Sequence, residues 1–304
     1  MKLYIAGYYT ANFEKNSTAY NKLDGAEKIM HDSAPNRLES YYYINNPKVI
    51  ERIRANGEKI FLDSGAFSAF TKGAKIEVKD YVAYITRNLD VIERADGTIM
   101  ASVLDSIGDA YKTYCNQKEM EGMGLAPLPC FHYGEDERYL EYYVANYPYI
   151  TLGGMAAVST SLIQIWLDHI WSKYLTNADG TAKLKVHGFA ITTPSIMRRY
   201  PWYSVDSSSW VRIGMTGGII LRRNQKVIAI SKTSPSRKSA WQHIDTLPPM
   251  VKENALAEIR QYGVDPERLK EIQYARWAFN AGIFSLIEKD CTVDKFSQYE
   301  VGFF

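Results

Sequence analysis

Residues 59–70 read KIFLDSGAFSAF, an apolar run that meets a carboxylate, a hydroxyl and a glycine and then turns apolar again. Asp, Ser and Gly are common turn formers, so the stretch reads either as a plain turn or as a strand end that carries chemistry. The remainder of the chain weighs between the two. Comparable apolar or β-branched runs occur at KLYIAG (2–7), LESYYYI (38–44), TIMASVLD (98–105), APLPCFHYG (126–134), YITLGG (149–154), LKVHGFAIT (184–192) and YSVD (203–206). Between them lie helix-like segments such as VKDYVAYITRNLDVIERA (78–95) and SLIQIWLDHIWSKYL (161–175), whose apolar residues recur at three and four positions. Strands alternating with such helices predict parallel strands joined by crossovers. Eight runs of this kind predict an α/β fold, a (β/α)8 TIM barrel. An open doubly wound sheet is the alternative, but no Gly-rich phosphate loop follows the first run.

The runs close on polar groups: Asp63, Asp105, His132, Gly153-Gly154, Thr192-Thr193 and Asp206. In a barrel these ends converge on one face, where catalytic groups from several strands meet. Each has a plainer role as well. An Asp after a strand caps the next helix, a strand His is satisfied by hydrogen bonds, and a Gly pair makes a tight turn. Three carboxylates on separate strand ends nonetheless predict a shared pocket. Such a pocket suits magnesium held with substrate phosphates, or attack at an anomeric carbon. In the second chemistry one carboxylate attacks the sugar C1′ and another group manages protons on the departing base. Two successive displacements retain configuration through a covalent glycosyl-enzyme. Neighbouring glycines let a flat heterocycle approach the backbone closely.

The chain has 304 residues, a net charge of +2 and three cysteines, Cys115, Cys130 and Cys291. No CxxC pair or Cys/His cluster has metal-ligand spacing, so no structural zinc is expected. Sparse, odd cysteines suit a reducing cytoplasm. The start, MKLYIAGYYT, does not read as a signal peptide, and no apolar run approaches membrane-spanning length, so a soluble cytoplasmic protein without a membrane partner is expected. One domain is expected over 1–304: a barrel core over about 1–210, a basic hairpin and loop over 211–246, and C-terminal helices over 247–289.

LDSGAFSAF resembles the DSGG-F segment of the queuine-type tRNA-guanine transglycosylases, TLGGMA their LGGLA turn, and GFAITTP their GVGTP strand. VLDSIGD and YSVDSSSW stand in the places of their two other aspartates on the catalytic face. These motifs fall in the family's order over roughly residues 59–210. The wording HGFAITTPSIMRRYPWYSVDSSSW is most similar to the bacteriophage-type branch, the DNA-guanine transglycosylases called DpdA, which are associated with placing 7-deazaguanines in DNA. The resemblance implies that Asp206 is the nucleophile and Asp63 the general acid/base. It implies that Asp105 binds the edge of the base, with Ser64, Gly65 and the Gly153-Gly154-Met155 backbone completing the pocket. The family's Gln-Gly is replaced by CFHYGE; Tyr133 aligns with the glutamine and His132 precedes it, and either can face the base. The Cys-rich zinc site of the tRNA enzymes has no counterpart, since Cys291 stands alone there. A 7-deazaguanine of the 7-cyano or 7-aminomethyl form (preQ0 or preQ1 type) is the implied incoming base, and no metal or organic cofactor is implied.

From Ser207 to Ile244 there is no Asp or Glu, while Arg212, Arg222, Arg223, Lys226, Lys232, Arg237 and Lys238 all occur. GIILRRNQKVIAIS reads as a hairpin and SKTSPSRKSAW as a loop, together suited to phosphate contacts, with Trp210 or Trp241 to stack on a base. DNA is the expected partner, with a tRNA-acting relative and a non-catalytic modified-base binder as alternatives. A solvated hairpin without a partner is the plainer reading of these charges. LPPMVKENALAEIRQYGV (247–264) and DPERLKEIQYARWAFNAGIFSLIEK (265–289) read as two helices, the second opened by an Asp-Pro cap. Its stripe of Leu269, Ile272, Ala275, Phe279, Ile283 and Leu286 is expected to pack on the barrel.

Overall fold

Short runs, most of them holding β-branched or aromatic residues, form the strands β1 (Lys2–Ala6), β2 (Asn36–Ser40), β3 (Ile60–Asp63), β4 (Arg94–Ala95), β5 (Thr98–Ile99), β6 (Cys130–His132), β7 (Tyr149–Gly153), β8 (Lys185–Gly188) and β9 (Ser204–Ser207). The computed structural model describes residues 1–34, 36–156 and 158–296. Residues 297–304, to which the sequence assigns no element, lie outside the described residues. Seven strands form one parallel sheet in the order β3-β2-β1-β9-β8-β7-β6.

Register sets the polar residues against neighbouring strands. Ser40 pairs with Asp63, Tyr4 with Asp206, and His132 with Gly153. Residues 100–103 bond to both outer strands. On one side Leu62 N–H reaches the Met100 carbonyl (2.8 Å) and Ser102 N–H the Leu62 carbonyl (3.0 Å). On the other, Leu128 N–H reaches the Ala101 carbonyl (2.8 Å) and Val103 N–H the Leu128 carbonyl (2.9 Å). This α/β arrangement is compatible with a TIM-like barrel. Helices such as Val78–Arg87 and Thr160–Ile170 follow the strands, the first ending well before residue 95 of the stretch read as helical. Tyr4, Leu38, Phe61, Met100, Leu128 and Tyr149 pack together in the interior, so side chains fill the space between strands. All five residues of β7 are buried, which is why its sequence lacks polar alternation.

The chain divides into two compact units. The first comprises residues 1–10, 37–207 and the chain from 291; the second comprises 11–36 and 208–290. Residues 11–36 thus group with the segment 208–290. In the second unit the helix Gly25–Asp32 opens with a capping box between Asp24 and Glu27, and it packs on the long helix Gln273–Asp290. Glu27 is fully buried and accepts from Nε and Nη2 of Arg268 at 2.7 and 2.8 Å. Phe13 stacks on Trp210 with ring centroids 5.5 Å apart. β10 (Gly218–Ile220) and β11 (Val227–Ala229) pair antiparallel.

Three elements differ from expectation. Residues 41–44 turn into a short helix, because Tyr41 leaves the strand direction to pack on Tyr81 and Tyr84 at 5.1 and 4.8 Å. The 98–105 run begins as an antiparallel pair between β4 and β5 before its residues 100–103 join the neighbouring strands. The segment 265–289 is two helices, Pro266–Glu271 and Gln273–Asp290, broken at the extended Ile272. Within the unit the longer one packs on Gly25–Asp32 and Ser209–Met215, and Leu269, Ala275, Phe279 and Ile283 are fully buried. Among the described residues no helix is long and apolar enough to cross a membrane.

Candidate active site

At the end of β3 the chain turns through Ser64 and Gly65 into the helix Ala66–Thr71. Gly65 has φ +76°, and a Cβ there would lie 2.5 Å from Cβ of Tyr42, so only glycine makes this turn. Its N–H donates to Asp63 Oδ2 at 3.0 Å. Ser64 is buried; its N–H donates to Ser102 Oγ (2.9 Å) and its hydroxyl to Asp105 Oδ1 (2.8 Å). The turn former and the strand end are thus the same residues. Burial, reinforced by the carboxylates of Asp105 and Asp206 and opposed by the Gly65 N–H, pushes the Asp63 carboxyl up to about 7. The carboxylates of Asp105 and Asp206 thus both bear on Asp63.

His132 is bracketed by acids. Its Nε2 lies 3.1 Å from Asp105 Oδ2 and its Nδ1 2.9 Å from Glu135 Oε1, while its backbone N–H donates to Glu135 Oε2. Burial disfavours its charge, but Cys130, Asp105 and Glu135 outweigh burial and hold the imidazole well above its ordinary range. It therefore stands as an imidazolium at neutral pH. Tyr133 instead packs on Trp166, with centroids 5.4 Å apart, so His132 rather than Tyr133 stands with Asp105.

The glycine pair has a packing reason. A Cβ on Gly153 would lie 2.9 Å from His132 Cδ2 and 3.2 Å from Cys130 Sγ; Gly154 has φ +75° and would meet the Tyr133 nitrogen at 3.0 Å. Close approach of His132, on the neighbouring strand, already requires these glycines without a ligand. Met155 is buried beside them.

Asp206 is buried on β9. Its Oδ1 accepts from the Ala190 N–H at 2.8 Å, and His187 Nε2 lies 3.4 Å from the same oxygen. Ala190 has φ +57°, a left-handed conformation that side-chain-bearing residues adopt with strain, here in the segment that presents its N–H to the carboxylate. Asp105, Cys130 and His132 also place one donor atom each within 4.8 Å of the others, a set that could hold a borderline ion such as zinc. With a proton on His132 Nε2 the same atoms are satisfied by hydrogen bonding to Asp105.

The basic stretch is less available than its sequence promises. Arg222 forms a bidentate pair with Asp290 at 2.8 Å, Lys232 pairs with Glu271, and Arg237 donates to the Lys232 carbonyl. Arg212, Arg223, Lys226 and Lys238 are exposed. Trp210 is fully buried and cannot stack on a base, whereas Trp241 is 67% exposed. Sequence reasoning also passed over His187, Ser204 and Glu135. A lone His inside LKVHGFAIT carries no strand-end signal, but Glu135 follows His132 by three residues in HYGE, a spacing that suits a partner for it.

No family model matches the chain, and no curated protein sequence matches it.

Proposed function

We propose that the protein is a DNA-guanine transglycosylase, built as a (β/α)8 barrel whose carboxylate-bearing strand ends form the active site. The supporting observation is the meeting of Asp63, Asp105 and Asp206, with the Asp63 carboxyl poised at about 7 by burial and by the other two. A group poised there both gives and takes a proton at neutral pH, as a general acid/base must. In the proposed reaction the Oδ2 lone pair of Asp206 forms a bond to C1′ of the target nucleotide. The C1′–N9 bond breaks, its electron pair stays on N9, and Asp63 delivers the proton that yields neutral guanine. The incoming 7-deazaguanine then gives its N9 proton to the Asp63 carboxylate and attacks C1′. The C1′–Oδ2 bond breaks and its electrons return to Asp206, so configuration is retained.

Asp105, oriented by the Ser64 hydroxyl and by His132, keeps carboxylate lone pairs to accept from the N–H groups of the guanine edge. The exposed Arg212, Arg223, Lys226 and Lys238 are the proposed phosphate contacts. In duplex DNA the target nucleotide must leave the stack before its C1′ is reached.

The test is mass spectrometry of nucleosides after incubating the protein with duplex DNA and 7-cyano-7-deazaguanine. A 7-deazaguanine deoxynucleoside in the digest supports the reading; its absence from DNA and presence in tRNA under matched conditions would transfer the activity to RNA. Binding of modified DNA without any exchange would leave a recognition module.

A further inference from the structure

We infer that His187, held by a buried hydroxyl chain through Ser204 and Tyr149, is a positioning residue that fixes Oδ1 of Asp206 and steadies the negative charge returning to that carboxylate when the covalent intermediate breaks down. The inference rests on the transglycosylase reading and concerns the second of its two steps.

The chain crosses the interior of the sheet. Tyr149 Oη lies 2.6 Å from Ser204 Oγ, Ser204 Oγ lies 2.7 Å from His187 Nδ1, and His187 Nε2 lies 3.4 Å from Asp206 Oδ1. Tyr149, Ser204 and His187 are all at most 1% exposed, so water does not supply missing partners. Only one proton arrangement gives both hydroxyl protons an acceptor and turns an N–H rather than a lone pair toward Asp206. If Tyr149 donates to Ser204 and Ser204 donates to His187 Nδ1, the imidazole carries its proton on Nε2 and aims it at Asp206. The reverse order leaves the Tyr149 proton without an acceptor and sets an Nε2 lone pair against a carboxylate oxygen. Burial holds the His187 imidazole below its ordinary range even against the pull of Asp206, so the ring is neutral and its tautomer is what matters.

The carboxylate is consequently asymmetric. Oδ1 takes the Ala190 N–H and faces His187, whereas no described residue donates to Oδ2. Oδ2 is the oxygen left to attack C1′. Once it has done so, Oδ1 becomes an ester carbonyl with little charge, and a donor beside it contributes little. As the incoming base expels the carboxylate, charge returns to Oδ1 and the donor stabilises it. At 3.4 Å Nε2 faces Oδ1 without a hydrogen bond of good geometry, so its support for the charged carboxylate is electrostatic. Removing it should slow breakdown of the intermediate and leave its formation nearly unchanged, because the resting carboxylate loses the same support and attacks more readily.

The experiment is rapid-quench measurement of covalent protein–DNA adduct, formed on duplex DNA and chased with 7-cyano-7-deazaguanine. His187→Phe keeps an aromatic ring against Phe61 and Phe189, whose centroids lie 4.6 Å from the imidazole. In this variant breakdown is expected to slow about tenfold, formation to stay within about twofold, and adduct to accumulate. Ser204→Ala, which releases the tautomer while keeping the ring, should shift breakdown in the same direction by a few fold, and it carries the test if His187→Phe does not fold. His187→Gln, which restores an N–H donor, should recover most of the loss. Equal slowing of both steps, or wild-type breakdown in both His187→Phe and Ser204→Ala, overturns the inference alone. A wild-type protein that forms no adduct overturns the transglycosylase reading and this inference together.

Discussion

The two ends of the parallel sheet treat charge in opposite ways. Where strands begin, acids meet cations: Lys2 pairs with Glu93, Lys185 with Asp96, and Arg54 Nη2 with Asp90 at 2.9 Å. Where they finish, Asp63, Asp105 and Asp206 crowd together, and His132 answers Asp105 and Glu135 rather than Asp63. Paired surface charge does little beyond modest support of the fold. Like charge gathered at buried strand ends destabilises the folded chain, and the proposed transglycosylase chemistry would give that cost a use.

The sharpest way to break this contrast is Asp206→Asn. It should lower exchange of labelled guanine by roughly a thousandfold or more, since the amide cannot form the ester. Exchange at the wild-type rate would remove Asp206 as nucleophile. Asp63→Asn should cut exchange by about a hundredfold and also stabilise the protein in alkaline solution. The folded carboxyl titrates near 7 and the unfolded one near its ordinary value, so its stabilising contribution is complete below about pH 4 and lost as pH rises through 7. The Asn variant escapes that loss. Its melting temperature should exceed wild type by about 5 °C at pH 8 and by little at pH 4, measured by calorimetry.

A smaller effect separates the cations of the second unit. Exchange on duplex DNA should weaken steeply with salt, and Arg223→Ala with Lys226→Ala should reduce the log–log salt slope by about 2. Arg222→Ala should leave that slope unchanged, because its guanidinium is committed to Asp290. At the other end of the sheet, Glu93→Gln removes the negative charge and one of the two acceptor oxygens that serve Lys2 and the Tyr4 hydroxyl. It should cost about 1 kcal/mol of stability in a denaturant titration and leave exchange untouched. A large loss of activity there would erase the distinction between the two ends.

The carboxylate ends were legible because each closes an apolar run, and a run buried on both faces announces where it stops. Asp63, Asp105 and Asp206 therefore stood out without any contact being known. His187 did not, since a histidine flanked by Val186 and Gly188 looks the same whether it fills space or faces an acid. The basic stretch misled for a related reason. Its local sequence has no acids, but folding brings Asp290 and Glu271 to Arg222 and Lys232. Trp210 was invisible as a core residue because its partners, Phe13 and Trp277, are distant in sequence. The helix at Tyr41–Ile44 defeated its own strand propensity through ring packing on Tyr81 and Tyr84.

The second unit draws on two stretches of chain, and the buried ion pair from Glu27 to Arg268 joins residues 241 positions apart. At synthesis rates of about 5–20 residues per second, the earlier stretch waits roughly ten to fifty seconds for its partner to leave the ribosome. Phe13 and its neighbours spend that interval without their aromatic cover, which makes the nascent chain a natural client for holding chaperones before the last helix arrives.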